Sequence, residues 1–197
     1  MSRPLLRTSG GEVLLPRPPS ILATRADGGN LVVMPPRPVW ERSELSADEL
    51  TRFSFLVAAT GRAMLDALPQ LDGGCINYWE AGNWALNDAA PPAGRKRALE
   101  HRRMHLHLLG RSPGSANPAW AWGESPRFPA YAERETWGAG FERLTAGECR
   151  AIVAHARARL ASQYGVPAEE LAPWPECATC GYPVPPLTSC PECPPRA

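Results

Sequence analysis

Three of the chain's four histidines fall at His101, His105 and His107. Alternate side chains of a strand share a face. A strand over 103–109 that reaches back to 101 would set His101, Arg103, His105 and His107 on one side. Met104, Leu106 and Leu108 would then face the core. Packing gives no reason for three imidazoles and a guanidinium on one face, whereas a phosphate or another anion does. Arg95, Lys96, Arg97, Arg102 and Arg111 flank the stretch. Two further readings stay open, solvated surface histidines and a metal pair on His105 and His107.

A second group lies near the other end. Cys177-Ala178-Thr179-Cys180 and Cys190-Pro191-Glu192-Cys193 are two CxxC pairs with nine residues between them. Four thiolates so spaced close a tetrahedral site around a structural zinc ion, with Gly181 easing the backbone beside one knuckle. Disulfides and iron or redox chemistry are the alternatives. A closed four-cysteine site leaves no coordination position for a substrate, so no catalysis is assigned to it. The surrounding 173–197 is Pro-rich with few apolar residues, which makes metal–ligand bonds the source of its folding free energy. Cys75 and Cys149 are expected to be buried small residues.

Both groups need elements to hold them. Ser46-Ala47-Asp48-Glu49 has capping-box form, and Leu50, Phe53, Leu56, Val57, Met64 and Leu65 recur at helical spacing, which predicts a helix over 46–68. Thr145-Ala146-Gly147-Glu148 opens a second helix to about residue 163, with Ile152, Val153, Ala156 and Leu160 as its apolar stripe. Ile21–Thr24 and Asn30–Met34 flank Asp27-Gly28-Gly29 and read as a hairpin. Further strands are expected at Cys75–Glu80, Trp84–Asn87 and Arg103–Leu109. Residues 1–19, broken by four prolines, read as an irregular arm that adds at most an edge strand. The Trp- and Pro-rich stretch 112–140 is either a packed cover or a lid that touches ligand.

His105-Leu106-His107-Leu108-Leu109-Gly110-Arg111 resembles the end of the H-φ-H-φ-H-φ-φ strand of the histidine triad (HIT) nucleotide hydrolases and transferases. Gly29–Val39 and Ser43–Leu50 are similar to that family's early strand and the start of its first long helix. The resemblance is clearest over 20–111. It implies an α+β fold, an antiparallel sheet with two main helices over 20–172, to which the cysteine spacing adds a small zinc-ribbon-like knuckle in the 173–197 tail. It also implies that His105 attacks a nucleotide α-phosphate to form a nucleotidyl-histidine, supported by His107. Arg103 replaces the first triad histidine, and Pro38 stands where a histidine is often found. Asn87 is the best match to a family asparagine, ahead of Asn83 and Asn77. His101, Asn87, Arg111 and Lys96 are the expected substrate-binding residues. The alternative is an altered HIT-like module that binds a nucleotide or nucleic acid without turnover, with the tail as an interaction surface. The family implication admits a homodimer.

The 197 residues carry 21 Lys or Arg against 20 Asp or Glu, for a formal charge of +1. That balance excludes a global field for nucleic acid or anionic membranes, so an anion site must be local. With 23 Pro and 17 Gly but 44% hydrophobic residues, the chain is loop-rich and still has a core to bury. No apolar run has membrane-spanning length, and no secretory leader pattern is seen, so a cytoplasmic protein with reduced cysteines is expected.

Overall fold

The computed structural model describes residues 2–193; Met1 and the end of the expected tail, 194–197, lie outside the described residues. Five strands form one antiparallel sheet: β1 (Arg3–Thr8), β2 (Gly11–Leu15), β3 (Asn30–Met34), β4 (Cys75–Ala81) and β5 (His105–Arg111). Their spatial order is β1-β2-β3-β5-β4. Two long helices, α1 (Ala47–Ala67) and α4 (Ala146–Tyr164), cover one face, and α2 (Ala98–His101) and α3 (Arg134–Trp137) are single turns. The fold is therefore α+β, as expected. Among the described residues no helix is long and apolar enough to cross a membrane.

Alternation divides the sheet. Val13, Leu15, Leu31, Val33, Leu106 and Leu108 point into the core beneath the helices, where they meet Phe53, Leu56 and Met64 of α1 and Ile152, Ala156 and Leu160 of α4. Both helix starts have the expected reciprocal caps: Ser46 with Glu49 and Thr145 with Glu148. Phe55 and Tyr164 stack across the two helices at 4.6 Å. The opposite face is only half covered. At one end Trp120 and Phe128, from the 112–140 stretch, pack with Leu22, Ala23 and Leu109. The packed-cover alternative describes these two side chains, and the other end of that face stays open.

Several expectations fail. The arm over 1–19 is not irregular, since β1 and β2 make a hairpin joined to the sheet through β3. Pro4 is tolerated because it sits on the edge strand at a register irregularity, where a missing N–H interrupts no ladder. Ile21–Thr24 is not a strand. Its apolar residues are buried under the cover instead, and Arg25–Asp27 forms a 3₁₀ turn ahead of β3. Gly28, with φ of 119°, crosses so close to Gly110 that a Cβ on Gly110 would strike the Gly28 carbonyl. The strand expected over Trp84–Asn87 is a 3₁₀ turn over Asn83–Leu86. Cys149 is buried, which pushes its thiol up to about 12, but Cys75 is exposed on the edge strand β4. The tail is not without burial either. Tyr182 joins the main core and donates its hydroxyl to the Leu144 carbonyl at 2.8 Å.

Candidate functional site

The open end of the sheet face is the floor of a cleft of about 650 Å³, lined among others by Leu14, Val32, Trp79, His105 and His107. Register explains this grouping. Leu14 pairs with Val32, Val32 with His107, and His107 with Trp79, so four neighbouring strands contribute one row of side chains. His107 lies mid-row, with an aliphatic wall to one side and an aromatic wall to the other, and His105 is its neighbour on the same face, opposite Ala81.

His101 and Arg103 also line the cleft, but not by strand alternation. β5 begins only at His105, and His101 closes the short helix α2, so the expected four-residue strand face is replaced by a turn that reaches the same place. Arg103 is exposed at the cleft. Arg102 turns inward to Glu80, Glu41, Asn83 and the Trp40 carbonyl, and its charge serves those partners.

The hydrogen bonds of the two imidazoles fix their protons. His105 Nδ1 lies 3.0 Å from the Arg103 carbonyl oxygen, which only accepts. Nδ1 therefore carries the hydrogen, and Nε2 has a free lone pair. His107 Nδ1 lies 3.3 Å from Asn30 Nδ2. The Leu22 N–H donates to Asn30 Oδ1 at 3.1 Å, which sets the orientation of that amide. Asn30 Nδ2 is thus a donor, His107 Nδ1 an acceptor, and the His107 proton sits on Nε2. The two rings are 5.0 Å apart between centroids. Burial holds His105 below its usual value, and burial with the neighbouring His105 takes His107 down to about 3. Both rings are neutral at pH 7, one presenting a lone pair and the other an N–H.

Behind the histidines the cover acts as a brace. Trp79 stacks on His107 at 5.3 Å and on Phe128 at 4.2 Å, and Phe128 meets Trp120 edge-on. Arg111, expected to bind substrate, is buried here and donates to the carbonyls of Ala121 and Glu124 at 2.8 and 3.0 Å. Lys96 donates to the Asn87 and Gly94 carbonyls, and Asn87 accepts from Ala89 N–H. Arg111, Lys96 and Asn87 are not among the residues lining the cleft, whereas Asn83 is. Sequence reasoning missed Asn30 as a site residue. The available signal was a polar residue opening an otherwise apolar strand, on the face shared with Val32 and Met34.

Cys177, Cys180, Cys190 and Cys193 meet as expected, with sulfur atoms all within 4.8 Å of one another, a cluster able to hold a metal ion.

No protein-family model matches the chain, and no curated protein matches it. Three solved structures are similar in fold. A histidine triad protein from Sinorhizobium meliloti is 18% identical, with a TM-score of 0.41 over 70% of this chain and 85% of that one. A histidine triad protein from Marinobacter aquaeolei is 22% identical, with a TM-score of 0.41 over 68% and 81%. A hypothetical histidine triad nucleotide-binding protein from Sulfolobus tokodaii is 13% identical, with a TM-score of 0.43 over 83% and 91%. The antiparallel sheet with two long helices on one face is the arrangement the histidine stretch implied, and the cysteine cluster is the one the CxxC spacing implied.

Proposed function

We propose that the cleft binds a nucleotide or nucleotide conjugate and that His105 is the nucleophile of a HIT-type hydrolase or nucleotidyl transferase. The observation that carries this reading is the pair of fixed tautomers. His105 Nε2 attacks the α-phosphorus, a P–N bond forms, and the bond from phosphorus to the leaving group breaks with its electron pair going to that group. The Arg103 carbonyl accepts from Nδ1–H throughout and stabilises the cationic ring. His107 Nε2–H donates to a phosphoryl oxygen, and Arg103 and His101 add positive or polar character at the rim. Water or another acceptor hydroxyl then attacks phosphorus and releases its proton to solvent, the P–N bond breaks with its electron pair returning to Nε2, and His105 is neutral again. The apolar walls from Leu14 and Val32 to Trp79 suit the rest of a nucleotide better than inorganic phosphate.

The test is intact-mass and peptide mapping after brief mixing with dinucleoside polyphosphates and nucleoside phosphoramidates. A nucleotidyl mass on the peptide bearing His105, lost in both His105→Ala and His105→Asn, is the expected result. Turnover that survives in both variants would overturn the assignment. Binding with neither adduct nor turnover would favour the altered binding module, for which Arg103 in place of an imidazole is the motivating residue.

For the cysteine cluster we propose structural zinc. Four soft donors converge within 4.8 Å with no fifth ligand type among them, the donor set of a closed tetrahedral site. When bound, zinc supplies cross-linking of the two knuckles. One zinc per reduced chain by elemental analysis is the expected content.

A further inference from the structure

Arg3 opens the edge strand β1, and its side chain is completely buried. Its Nη2 lies 3.2 Å from Cys190 Sγ, 3.6 Å from Cys180 Sγ and 2.8 Å from Glu192 Oε2. Glu192 sits between the last two cysteines in sequence and gathers two more guanidinium groups, Arg17 Nε at 2.7 Å and Arg143 Nη1 at 2.6 Å. Arg3 and Arg143 also approach the Tyr182 ring at 4.6 and 4.9 Å. Three guanidiniums against one carboxylate leave two positive charges uncompensated in a largely buried place. Such a cluster is costly unless negative charge is supplied nearby. A divalent ion held by four thiolates carries two negative charges, and it is the cysteine sulfurs that Arg3 touches.

We infer that Arg3, Arg17, Arg143 and Glu192 are the charge-matched outer shell of a divalent tetrathiolate centre, and that the loaded centre pins the β1–β2 hairpin through Arg3. This rests on the reading of the four cysteines as a metal site. Outer-shell donors of this kind orient metal ligands and moderate the sulfur charge. The pinned hairpin is not remote from the cleft. Leu14 of β2, together with Ser2 and Pro16 just outside the two strands, lines it. The metal centre is thereby a positioning element for the aliphatic wall while taking no part in the chemistry.

Hydrogen–deuterium exchange on the reduced, zinc-loaded full chain, before and after chelation, tests this. Chelation should speed exchange of 3–15 at least tenfold, along with 177–193, while α1 keeps its protection. Zinc-loaded Arg3→Met should retain metal, exchange its hairpin as fast as chelated wild type, and respond little to further chelation. Should Arg3→Met fail to fold, Arg17→Met, which cuts the other contact between the hairpin's end and Glu192 and whose side chain is 24% exposed, should speed hairpin exchange in the loaded chain part of the way. Bound zinc with hairpin exchange indifferent to chelation would overturn the latch alone, as would equal loss of protection in α1. Absence of bound zinc from the reduced chain would overturn the metal reading and the latch with it.

Discussion

The chemistry proposed for the cleft depends on where two protons sit. His107 is neutral down to about pH 3 in the folded chain, mainly because it is buried, while an unfolded histidine protonates near 6.5. As pH falls below 6.5 the unfolded state gains a proton that the folded state refuses, so this site's stability is present above 6.5 and is lost progressively towards pH 3. The slope approaches about 1.4 kcal/mol per pH unit for one proton. His107→Asn should flatten the urea midpoint against pH between 5 and 6.5, where most carboxylates have yet to titrate. Asn30 gives a sharper test. Asn30→Asp replaces the Nδ2 donor with an acceptor, which should move the His107 proton to Nδ1 and raise its pKa; ¹⁵N shifts of the imidazole read both. Under the proposed mechanism turnover should fall about 100-fold or more, since a His107 with its proton on the wrong nitrogen no longer faces phosphate as a donor. A normal tautomer in Asn30→Asp would remove Asn30 from the mechanism.

At the scale of elements, the helices were legible because their caps and apolar stripes are local signals. Thr145→Ala should cost about 1 kcal/mol by chemical denaturation, the usual value of an N-cap, and more if Glu148 also loosens from Arg25, which it holds at 2.8 Å. The strands were legible where alternation ran unbroken, as from His105 to Leu109, or where a short apolar run was bounded by glycine and proline, as in Asn30–Met34. Ile21–Thr24 looked like a strand because burial makes the same apolar run without a ladder. The β1–β2 hairpin was hidden because the prolines mark breaks in sequence, yet Pro4 falls on the sheet edge and the other three follow the end of β2. Arg111 was read by charge as a ligand contact, although only the fold shows it pointing at carbonyls. Arg111→Met should leave those acceptors unpaired and cost about 1–3 kcal/mol. It should also alter the near-ultraviolet circular dichroism of the tryptophans as Trp120 and Phe128 loosen behind Trp79.

Considered whole, the molecule carries two candidate centres, the histidine cleft and the cysteine cluster, on one scaffold. The cysteine centre was readable from spacing alone, since CxxC pairs constrain chain geometry wherever they occur. Its arginine shell was not, because Arg3, Arg17 and Arg143 are scattered in sequence and become one cluster only when the sheet edge meets the tail. Chelating the metal should lower the thermal midpoint of the full chain, and by less in Arg3→Met than in wild type, since part of the metal's effect passes through that side chain.

Arg3 and Cys190 stand 187 residues apart in sequence, yet their side chains touch. Docking of the Arg3 side chain therefore waits on the cysteine tail, an ordering that carries the entropy of closing a loop of that length. During synthesis Arg3 must remain without its thiolate and carboxylate partners after the helices and central strands have formed. That interval leaves a loosely held edge hairpin open to other chains. On the proposed zinc reading, supplying zinc as the tail emerges should shorten it, so soluble yield on expression is expected to track metal supply more steeply than the stability of the finished fold alone would require.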